Sequence, residues 1–436
     1  MTAAMRVLRV SHSGGNPALR LRDRTLAAQG IDLTLVVPEF WGEPGYQTAT
    51  EAAAAEDAGG LTVRGMAVDR PGDVNRHRYT DPDAAERLVA TVRPDLVDVH
   101  EEPFSLAARQ WLRAASQRGV PAVVYTAQNL DKRFPPPFAQ YEAAALRTAL
   151  GVYPCSRQAA SVVRGKGFGG VVDVLPLGYD DATFHPGAQR LTSEVLLALV
   201  GRIVPEKGCT DAVDVLATVH RSRPARLVVI GQGPGLEALR ARAASRGVLD
   251  RVEVVPWLPA AELAEWYRRA HVLLVPSRST SGWVEQFGRT VVEARACGAV
   301  VAGYASGAIP QVVGDAGVLV PEGDAAALGL AVADLVATPA QWDMLRVLGV
   351  ALSREYTWRA VAARQVSFYE KALAERGTPV AGRLSGPEAR RRARLEFGEP
   401  ARLPGPGPDR PFAVPFLRDR PVLSRAAGRV VDAVVR

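Results

Sequence analysis

Cysteine is scarce in this 436-residue sequence: three occur, Cys155, Cys209 and Cys297, and they are widely spaced. None forms a CxxC pair or a Cys/His metal-binding pattern, which excludes a disulfide framework and an ordinary zinc site. Each is expected to be a small buried or half-buried side chain. No run of 18 apolar residues occurs, so no membrane-spanning helix is predicted. The first predicted strand, Arg6–Val10, begins without an apolar leader before it, and we expect a cytoplasmic protein.

Excess charge is nearly absent from most of the chain. The net charge is +7, but residues 377–436 hold 12 Arg against 6 Asp and Glu, so six of the seven excess charges lie in this tail. A nearly neutral body argues against nucleic-acid binding, which needs basic residues along one folded face. The tail, rich in Pro, Gly and Arg, is expected to be disordered to about Pro421. Residues 422–436 could form a helix that contacts an anionic membrane peripherally at its inner face; solvated disorder is the alternative.

The chain is long enough for two domains, because 436 residues with 47% apolar side chains can fill two cores. Short apolar runs alternate with helical patterns, which predicts an α/β fold. The predicted strands include Arg6–Val10, Ile31–Val37, Asp95–Val99, Ala122–Thr126, Val195–Val200, Arg226–Ile230, His271–Val275 and Ala299–Gly303. In open α/β sheets, ligands bind in the loops that follow such strands.

The most informative loop lies in Pro276–Gly298, PSRSTSGWVEQFGRTVVEARACG. It follows a predicted buried strand and leads into a helical pattern that opens at Phe287-Gly288. Because Gly288 has no side chain, a ligand can approach the free amides of the first helical turn, and those amides favour an anion.

Two carboxylates flank this helix start, Glu285 and Glu293. A carboxylate can hold two neighbouring hydroxyls at once, so a phosphate between two polyols, as in a nucleotide sugar, fits the arrangement. The alternative is that Glu285 is a favourable charge near a helix N-terminus, and Glu293 a solvated residue paired with Arg289.

Three other loops carry candidate site residues. Arg202 and Lys207 follow the strand Val195–Val200 and could clamp a diphosphate; ordinary surface charge is the alternative. His100, with Glu101 and Glu102 after it, could bind or deprotonate a hydroxyl, or could cap the next helix. Gly14-Gly15 could leave bare backbone beside a ligand, or could serve a turn that needs positive φ.

In this stretch an acid is followed by Phe-Gly, by a second acid eight residues after the first, and by Ala-Cys-Gly. This order resembles the motif of retaining GT-B glycosyltransferases, in particular family 4. The resemblance covers about Arg6–Arg376. It implies two Rossmann-like domains facing a central cleft, the first for the acceptor and the second for a nucleoside diphosphate sugar. Glu285 would lie against the donor sugar and Glu293 would bind the ribose.

By the same resemblance, Arg202 and Lys207 would hold the diphosphate. The other predicted donor-binding residues are Phe287, Gly288, Gly233, Gly14 and Gly15. Residues 1–187 would form the acceptor domain, 188–357 the donor domain, 358–376 a helix that crosses back to the first domain, and 377–436 the tail.

Some positions depart from the family pattern. Gln286 stands where Gly is common, and the loop Ser277–Val284, with Trp283, is longer than usual before the first acid. Both lie beside the predicted sugar pocket and leave the sugar open.

On the acceptor side, Gln128 stands where the family often has a histidine close to the reacting carbon, and a glutamine cannot act as a base. The predicted catalytic residues are therefore Glu285, Gln128 and His100. Proton handling falls to the substrates, to Asp131 or to His100.

The sequence thus predicts a hexosyltransferase that acts on a lipid, glycan or small-molecule hydroxyl. Neither a cofactor nor a metal is expected, since no DxD-like metal motif stands out and Arg202 and Lys207 can neutralise the diphosphate. Two alternatives stay open: a nucleotide-sugar epimerase of the same fold, and a two-lobed ligand-binding protein without turnover.

Overall fold

The computed structural model describes residues 4–16, 19–41, 59–188, 191–376 and 386–401. The chain divides into two compact units, the first formed by Met1–Pro176 with Trp358–Ala401 and the second by Leu177–Thr357. Each unit contains a parallel sheet with helices, which confirms the predicted α/β class. The first domain was predicted to end at residue 187, whereas the first unit of the structure ends at Pro176. The segment 177–187 therefore belongs to the second unit.

The first unit contains a seven-stranded parallel sheet. In chain order its strands are β1 (Arg6–Val10), β2 (Asp32–Pro38), β3 (Leu61–Met66), β6 (Leu96–Val99), β7 (Ala122–Thr126), β8 (Gly151–Pro154) and β9 (Val171–Val172), and β4 (Val68–Asp69) and β5 (Arg78–Tyr79) form a separate antiparallel pair. Across the sheet the order is β3-β2-β1-β6-β7-β8-β9. The apolar runs are buried almost throughout, as expected for strands that are covered on both faces. The strand order reverses between β1 and β6.

The second unit contains a six-stranded parallel sheet. Its strands are β10 (Val195–Val200), β11 (Ala225–Ile230), β12 (Val252–Val255), β13 (Val272–Val275), β14 (Val300–Tyr304) and β15 (Gly317–Val320). Across the sheet the order is β12-β11-β10-β13-β14-β15. Here the order reverses between β10 and β13. Each unit therefore has its own reversal point, and each reversal point is a place where a ligand can bind.

The α-helices of the described chain lie between these strands, except the last four, which follow the final strand, β15. They are α1 (Leu21–Ala28), α2 (Ala84–Val92), α3 (Leu106–Gln117), α4 (Phe138–Thr148), α5 (Arg157–Gly165), α6 (Cys209–Ser222), α7 (Leu236–Ser245), α8 (Ala260–Arg269), α9 (Arg289–Cys297), α10 (Ile309–Val313), α11 (Ala325–Ala337), α12 (Pro339–Ser353), α13 (Trp358–Ala374) and α14 (Gly386–Phe397). Ser105 and Ser156 begin α3 and α5 by accepting hydrogen bonds from the amides of Ala108 and Ala159.

The helix α13 belongs to the first unit, where the side chains of Phe368 and Tyr369 are fully buried. The sequence predicts an amphipathic helix here, and in the structure the buried residues of α13 recur at helical spacing. The three cysteines are free and buried, as predicted.

The prediction of disorder is wrong for the described part of the tail, because residues 386–397 form α14. Ala389 and Ala393, four residues apart, give this Arg-rich helix a small apolar face that is buried in the first unit. Arg164 of α5 forms an ion pair with Glu396, with Nε 2.9 Å from Oε2. The predicted helix at 422–436 lies outside the described residues.

Within the described ranges no single helix is long and apolar enough to cross a membrane. In the part of the chain that the structure describes, one pair, Ala325–Ala337 and Pro339–Tyr356, meets that test of length and composition when taken together across a bend of 100°.

Candidate functional site

The reversal point of the second unit joins two loops that the sequence had identified separately. The loop after β10 carries Arg202 and Lys207, and the loop after β13 carries Glu285. Because β10 and β13 are parallel neighbours, both loops leave the same edge of the sheet.

Gly208 lets these two loops come together. It has φ of +64° and lies so close to the end of β13 that a Cβ atom would be 2.0 Å from the carbonyl oxygen of Pro276. Any side chain here would collide with backbone, so the position requires glycine. The preceding residue, Lys207, is thereby held beside the loop that carries Glu285.

Lys207 and Glu285 are in direct contact. The ammonium Nζ lies 2.5 Å from Oε2 of Glu285, and the hydroxyl of Ser277 donates to the same oxygen at 3.2 Å. The Glu285 residue is 8% exposed. The residue predicted to face the diphosphate and the residue predicted to face the sugar are therefore partners in this structure, while their roles toward a ligand stay predictions.

Glu293 lies in α9, which begins after Gly288 as predicted. The residue is also 8% exposed, and its carboxylate has Nε of Arg289 at 3.3 Å and the hydroxyl of Tyr267 at 3.5 Å. The pair with Arg289 exists, but the carboxylate is buried, so the solvated alternative is wrong. Burial raises the pKa of Glu293 above its ordinary value, and the charge of Arg289 offsets part of that rise.

The remaining predicted donor residues have different surroundings. Phe287 is 2% exposed and its ring packs 6.0 Å from that of Tyr356, so it can offer a ligand only its backbone. Arg202 is exposed and forms no ion pair with any residue of the described chain. A Cβ at Gly233 would lie 2.3 Å from the carbonyl oxygen of Ile203, so this glycine allows the loops after β10 and β11 to pack together.

A set of polar contacts that sequence reasoning missed connects the same loops through the buried side chain of Asp211. Asp211, in the first turn of α6, accepts from Nε of Arg278 at 2.6 Å and from the hydroxyl of Tyr304 at 2.7 Å. The amide of Arg278 also donates to the carbonyl of Glu206 at 2.8 Å. Asp211 had no local signal, since an acid in a first helical turn is common, and its partner is 67 residues away.

The reversal point of the first unit brings His12, after β1, to Glu101, after β6. The backbone amide of His12 donates to Oε1 of Glu101 at 2.6 Å, and its Nδ1 lies 2.7 Å from Oε2. Burial would raise the pKa of Glu101, but the contacts with His12 and the nearby His77 outweigh it and lower the pKa. His12 was not predicted, because the loop stood out only for its glycines.

His100 lies beside this pair and is half-buried. Its Nδ1 is 3.1 Å from the hydroxyl of Tyr153 and 3.5 Å from Nη1 of Arg22. Burial, and next the positive charge of Arg22, hold the pKa of His100 well below its ordinary value, so the ring is neutral at pH 7. Arg22 is fixed in turn by the side-chain oxygen of Gln365 on α13.

The capping alternative for the His100 loop is wrong, because Ser105 caps α3. Glu102 instead holds the loop after β7, accepting from the hydroxyl of Thr126 at 2.6 Å and the amide of Ala127 at 2.8 Å. In that loop the side-chain oxygen of Gln128 accepts from the amide of Leu130 at 3.3 Å. Gln128 thus shapes its own turn in this structure, and its catalytic role stays a prediction.

Gly14 and Gly15 form a single helical turn at the edge of the first unit, and neither has positive φ. The positive-φ alternative is therefore wrong. A Cβ at Gly14 would lie 3.0 Å from Cδ2 of Leu35, and Nε of Arg20 donates to the carbonyl of Gly14 at 2.5 Å. Both glycines belong to the first unit, whereas the other predicted donor residues belong to the second.

Two family models match successive parts of the chain. The model described as Glycosyltransferase Family 4 matches residues 23–183, and the one described as Glycosyl transferases group 1 matches residues 181–347. Among the described residues, no group of three or more His, Cys, Asp or Glu is placed to hold a metal ion.

Curated relatives match over part of their length. A D-inositol 3-phosphate glycosyltransferase of Segniliparus rotundus is 36% identical over 217 residues, which cover 46% of this chain and 47% of the relative. A GDP-mannose-dependent alpha-(1-6)-phosphatidylinositol monomannoside mannosyltransferase of Mycolicibacterium smegmatis is 31% identical, covering 44% of this chain and 54% of the relative. The chain thus spans about half the length of the curated relatives it matches.

Solved structures share the fold. Sucrose-phosphate synthase of Thermosynechococcus elongatus superposes with a TM-score of 0.65 at 20% identity, covering 85% of this chain and 99% of that one. Anabaena HepE, solved with UDP and glucose, gives 0.64 at 15% identity, covering 84% and 99%.

Two successive units with doubly wound parallel sheets, superposable on these structures, define a protein of the GT-B class. With consecutive family models matching both units, the chain belongs to the family 4 type of GT-B glycosyltransferases, the group 1 glycosyl transferases. The predicted fold and family are confirmed.

Proposed function

We propose that the protein transfers a sugar from a nucleoside diphosphate sugar to an acceptor hydroxyl with retention of anomeric configuration. The observation that carries this proposal is the contact between Lys207 and Glu285 at the reversal point of the second unit. It places a cation suited to a diphosphate beside a carboxylate suited to sugar hydroxyls. Arg202 on the same loop adds a second cation, and the buried Glu293 supplies the carboxylate for a ribose.

In the proposed step, the acceptor oxygen attacks the anomeric carbon on the face from which the diphosphate leaves. The bond from that carbon to the β-phosphate oxygen breaks, and the acceptor's proton passes to the departing phosphate. Arg202 and Lys207 stabilise the charge that develops on this leaving group. Because these cations neutralise the diphosphate, the transfer is expected to persist in EDTA; loss of activity restored by a divalent cation would contradict this.

For the acceptor we propose the edge of the first unit, where His12, His100 and Glu101 lie together. A neutral imidazole there can accept a hydrogen bond from a hydroxyl. The names of the relatives point to inositol-bearing acceptors, so D-inositol 3-phosphate and phosphatidylinositol mannosides are the first to test. Lipids, glycans and other small molecules follow.

A binding and turnover series tests the proposal. Thermal shift with nucleoside diphosphates and their sugars, GDP-mannose and UDP-glucose first, should show stabilisation of about 2.7 kcal/mol at 100 times the dissociation constant. The proton NMR spectrum of the product should show the anomeric configuration of the donor. An isomerised donor without acceptor would indicate an epimerase, and binding without turnover would indicate a ligand-binding protein.

Variants assign the two acids. Glu285→Ala is expected to lower turnover by about 100-fold, as loss of one preorganised polar group in a site does. Glu293→Ala should mainly weaken nucleotide binding. The matched control is Asp334→Ala, which removes an exposed carboxylate from α11 of the same unit. Unchanged kinetics in both glutamate variants would remove the assignment.

A further inference from the structure

The loop Ser277–Val284 is anchored in this structure at several points. Arg278 binds Asp211 and the carbonyl of Glu206. The amide and hydroxyl of Ser279 both donate to Glu322, at 2.5 and 2.8 Å. Because each of these polar contacts is made with a residue outside the loop, the loop has a defined conformation beside the candidate site.

A tight turn at the end of this loop sets the position of Trp283. The amide of Thr280 donates to the carbonyl of Trp283 at 2.8 Å, and the amide of Trp283 donates to the hydroxyl of Thr280 at 3.1 Å. The indole ring then lies with Nζ of Lys207 4.9 Å from its centroid. At that distance an ammonium is attracted to the face of the ring.

Lys207 is therefore held from two directions, by the carboxylate of Glu285 and by the ring of Trp283. Its side chain is only 24% exposed. An ammonium has three N–H donors. One of them is directed to the carboxylate and the ring covers another side of the group, so few donors are free to bind a phosphate. The paired carboxylate also cancels the charge that would attract an anion.

We propose that Glu285 competes with the donor's diphosphate for Lys207, and that Trp283 is a positioning residue that favours the paired arrangement. When the diphosphate arrives, Lys207 exchanges the carboxylate for phosphate oxygens. Glu285 is thereby released to accept hydrogen bonds from the sugar hydroxyls. The exchange makes sugar recognition depend on the presence of the diphosphate, and it rests on the proposed function.

The test is the affinity for a nucleoside diphosphate without its sugar, measured by calorimetry on the full chain. Glu285→Gln should bind it about fivefold more tightly than the wild type, as expected for release of an ion pair of about 1 kcal/mol, while transfer from the sugar donor falls. Trp283→Ala should tighten binding about threefold, and Trp283→Phe, which keeps an aromatic face, should restore wild-type affinity.

A double-mutant cycle separates exchange from a general charge effect. In a Lys207→Met background, Glu285→Gln should leave the affinity within about twofold, because the competing partner is gone. An equal gain in that background, or an affinity in Glu285→Gln that is unchanged or weaker than wild type, would overturn the inference. Urea unfolding of each variant verifies that the compared proteins are folded.

Failure of the proposed function gives a different result. If the wild type binds no nucleoside diphosphate, the proposed function itself is wrong. If the wild type binds one but Glu285→Gln gains nothing, only the competition for Lys207 is wrong.

Discussion

The substitution Gly208→Ala tests whether the candidate site depends on the close approach of its two loops. Gly208 separates Lys207 from α6 and lies against Pro276 at the end of β13. The added Cβ would be 2.0 Å from the carbonyl oxygen of Pro276, and real Cβ contacts essentially never fall below 3.0 Å. The two loops must therefore separate by at least the difference of 1.0 Å, since both contacting groups are held by backbone.

The expected magnitude follows from that displacement. A shift of about 1 Å in a positioned group costs about 100-fold in rate, so transfer should fall by about that factor. Alanine at a φ of +64° adds a conformational cost of about 1–2 kcal/mol to the folded state, whatever its surroundings.

Gly247→Ala is the matched control, because Gly247 has φ of +67° in the same unit and its added Cβ would meet no atom within 4 Å. Both variants should lose similar stability from backbone strain in urea unfolding, with an additional loss for Gly208→Ala. Only Gly208→Ala should lose transfer, measured as kcat/KM with saturating acceptor. Equal transfer rates in the two variants would refute the reasoning that loop contact builds the site.

Three further outcomes are expected. Burial raises the pKa of Glu293, and only the ionised carboxylate accepts hydrogen bonds at both oxygens. The affinity of the wild type for a nucleoside diphosphate should therefore fall as the pH is lowered, at pH values above the ordinary pKa of glutamate. Calorimetry at a series of pH values measures this. Phe368→Ala should lower the free energy of unfolding by about 3–5 kcal/mol in urea, because its ring is fully buried in the core of the first unit. Arg278→Met should cost about 1–2 kcal/mol and lower transfer, since the buried Asp211 keeps only Tyr304.

Each of these has a contrary outcome. A wild-type affinity that follows the pH dependence of Glu293→Gln would show that the carboxylate does not bind the nucleotide. A loss of stability below about 1 kcal/mol in Phe368→Ala would mean that α13 is not part of the first unit's core. Full transfer activity in Arg278→Met would show that the ion pair between Arg278 and Asp211 does not position the loops.

Most strands and helices were predictable because the spacing of apolar residues, about 2 residues in strands and 3.6 in helices, is a local property of the chain. β1, β7 and β10 were predicted with their observed bounds, and α9 with its closing glycine. β3 and α14 were missed because each has only a weak local signal. Few consecutive residues mark β3 as a strand, and α14 has an apolar face of only two alanines within an Arg-rich segment.

The sequence by itself determined the type of fold, the order of its elements and the residue types of the candidate site. Periodicity, glycine punctuation and the spacing of Glu285 and Glu293 are all written within short stretches of chain. The tertiary structure alone decided which of these residues meet: Lys207 with Glu285, 78 residues apart, and His12 with Glu101, 89 residues apart. The physical reason is that such contacts depend on strand order, and strand order is set by packing of the whole sheet, which no local pattern encodes.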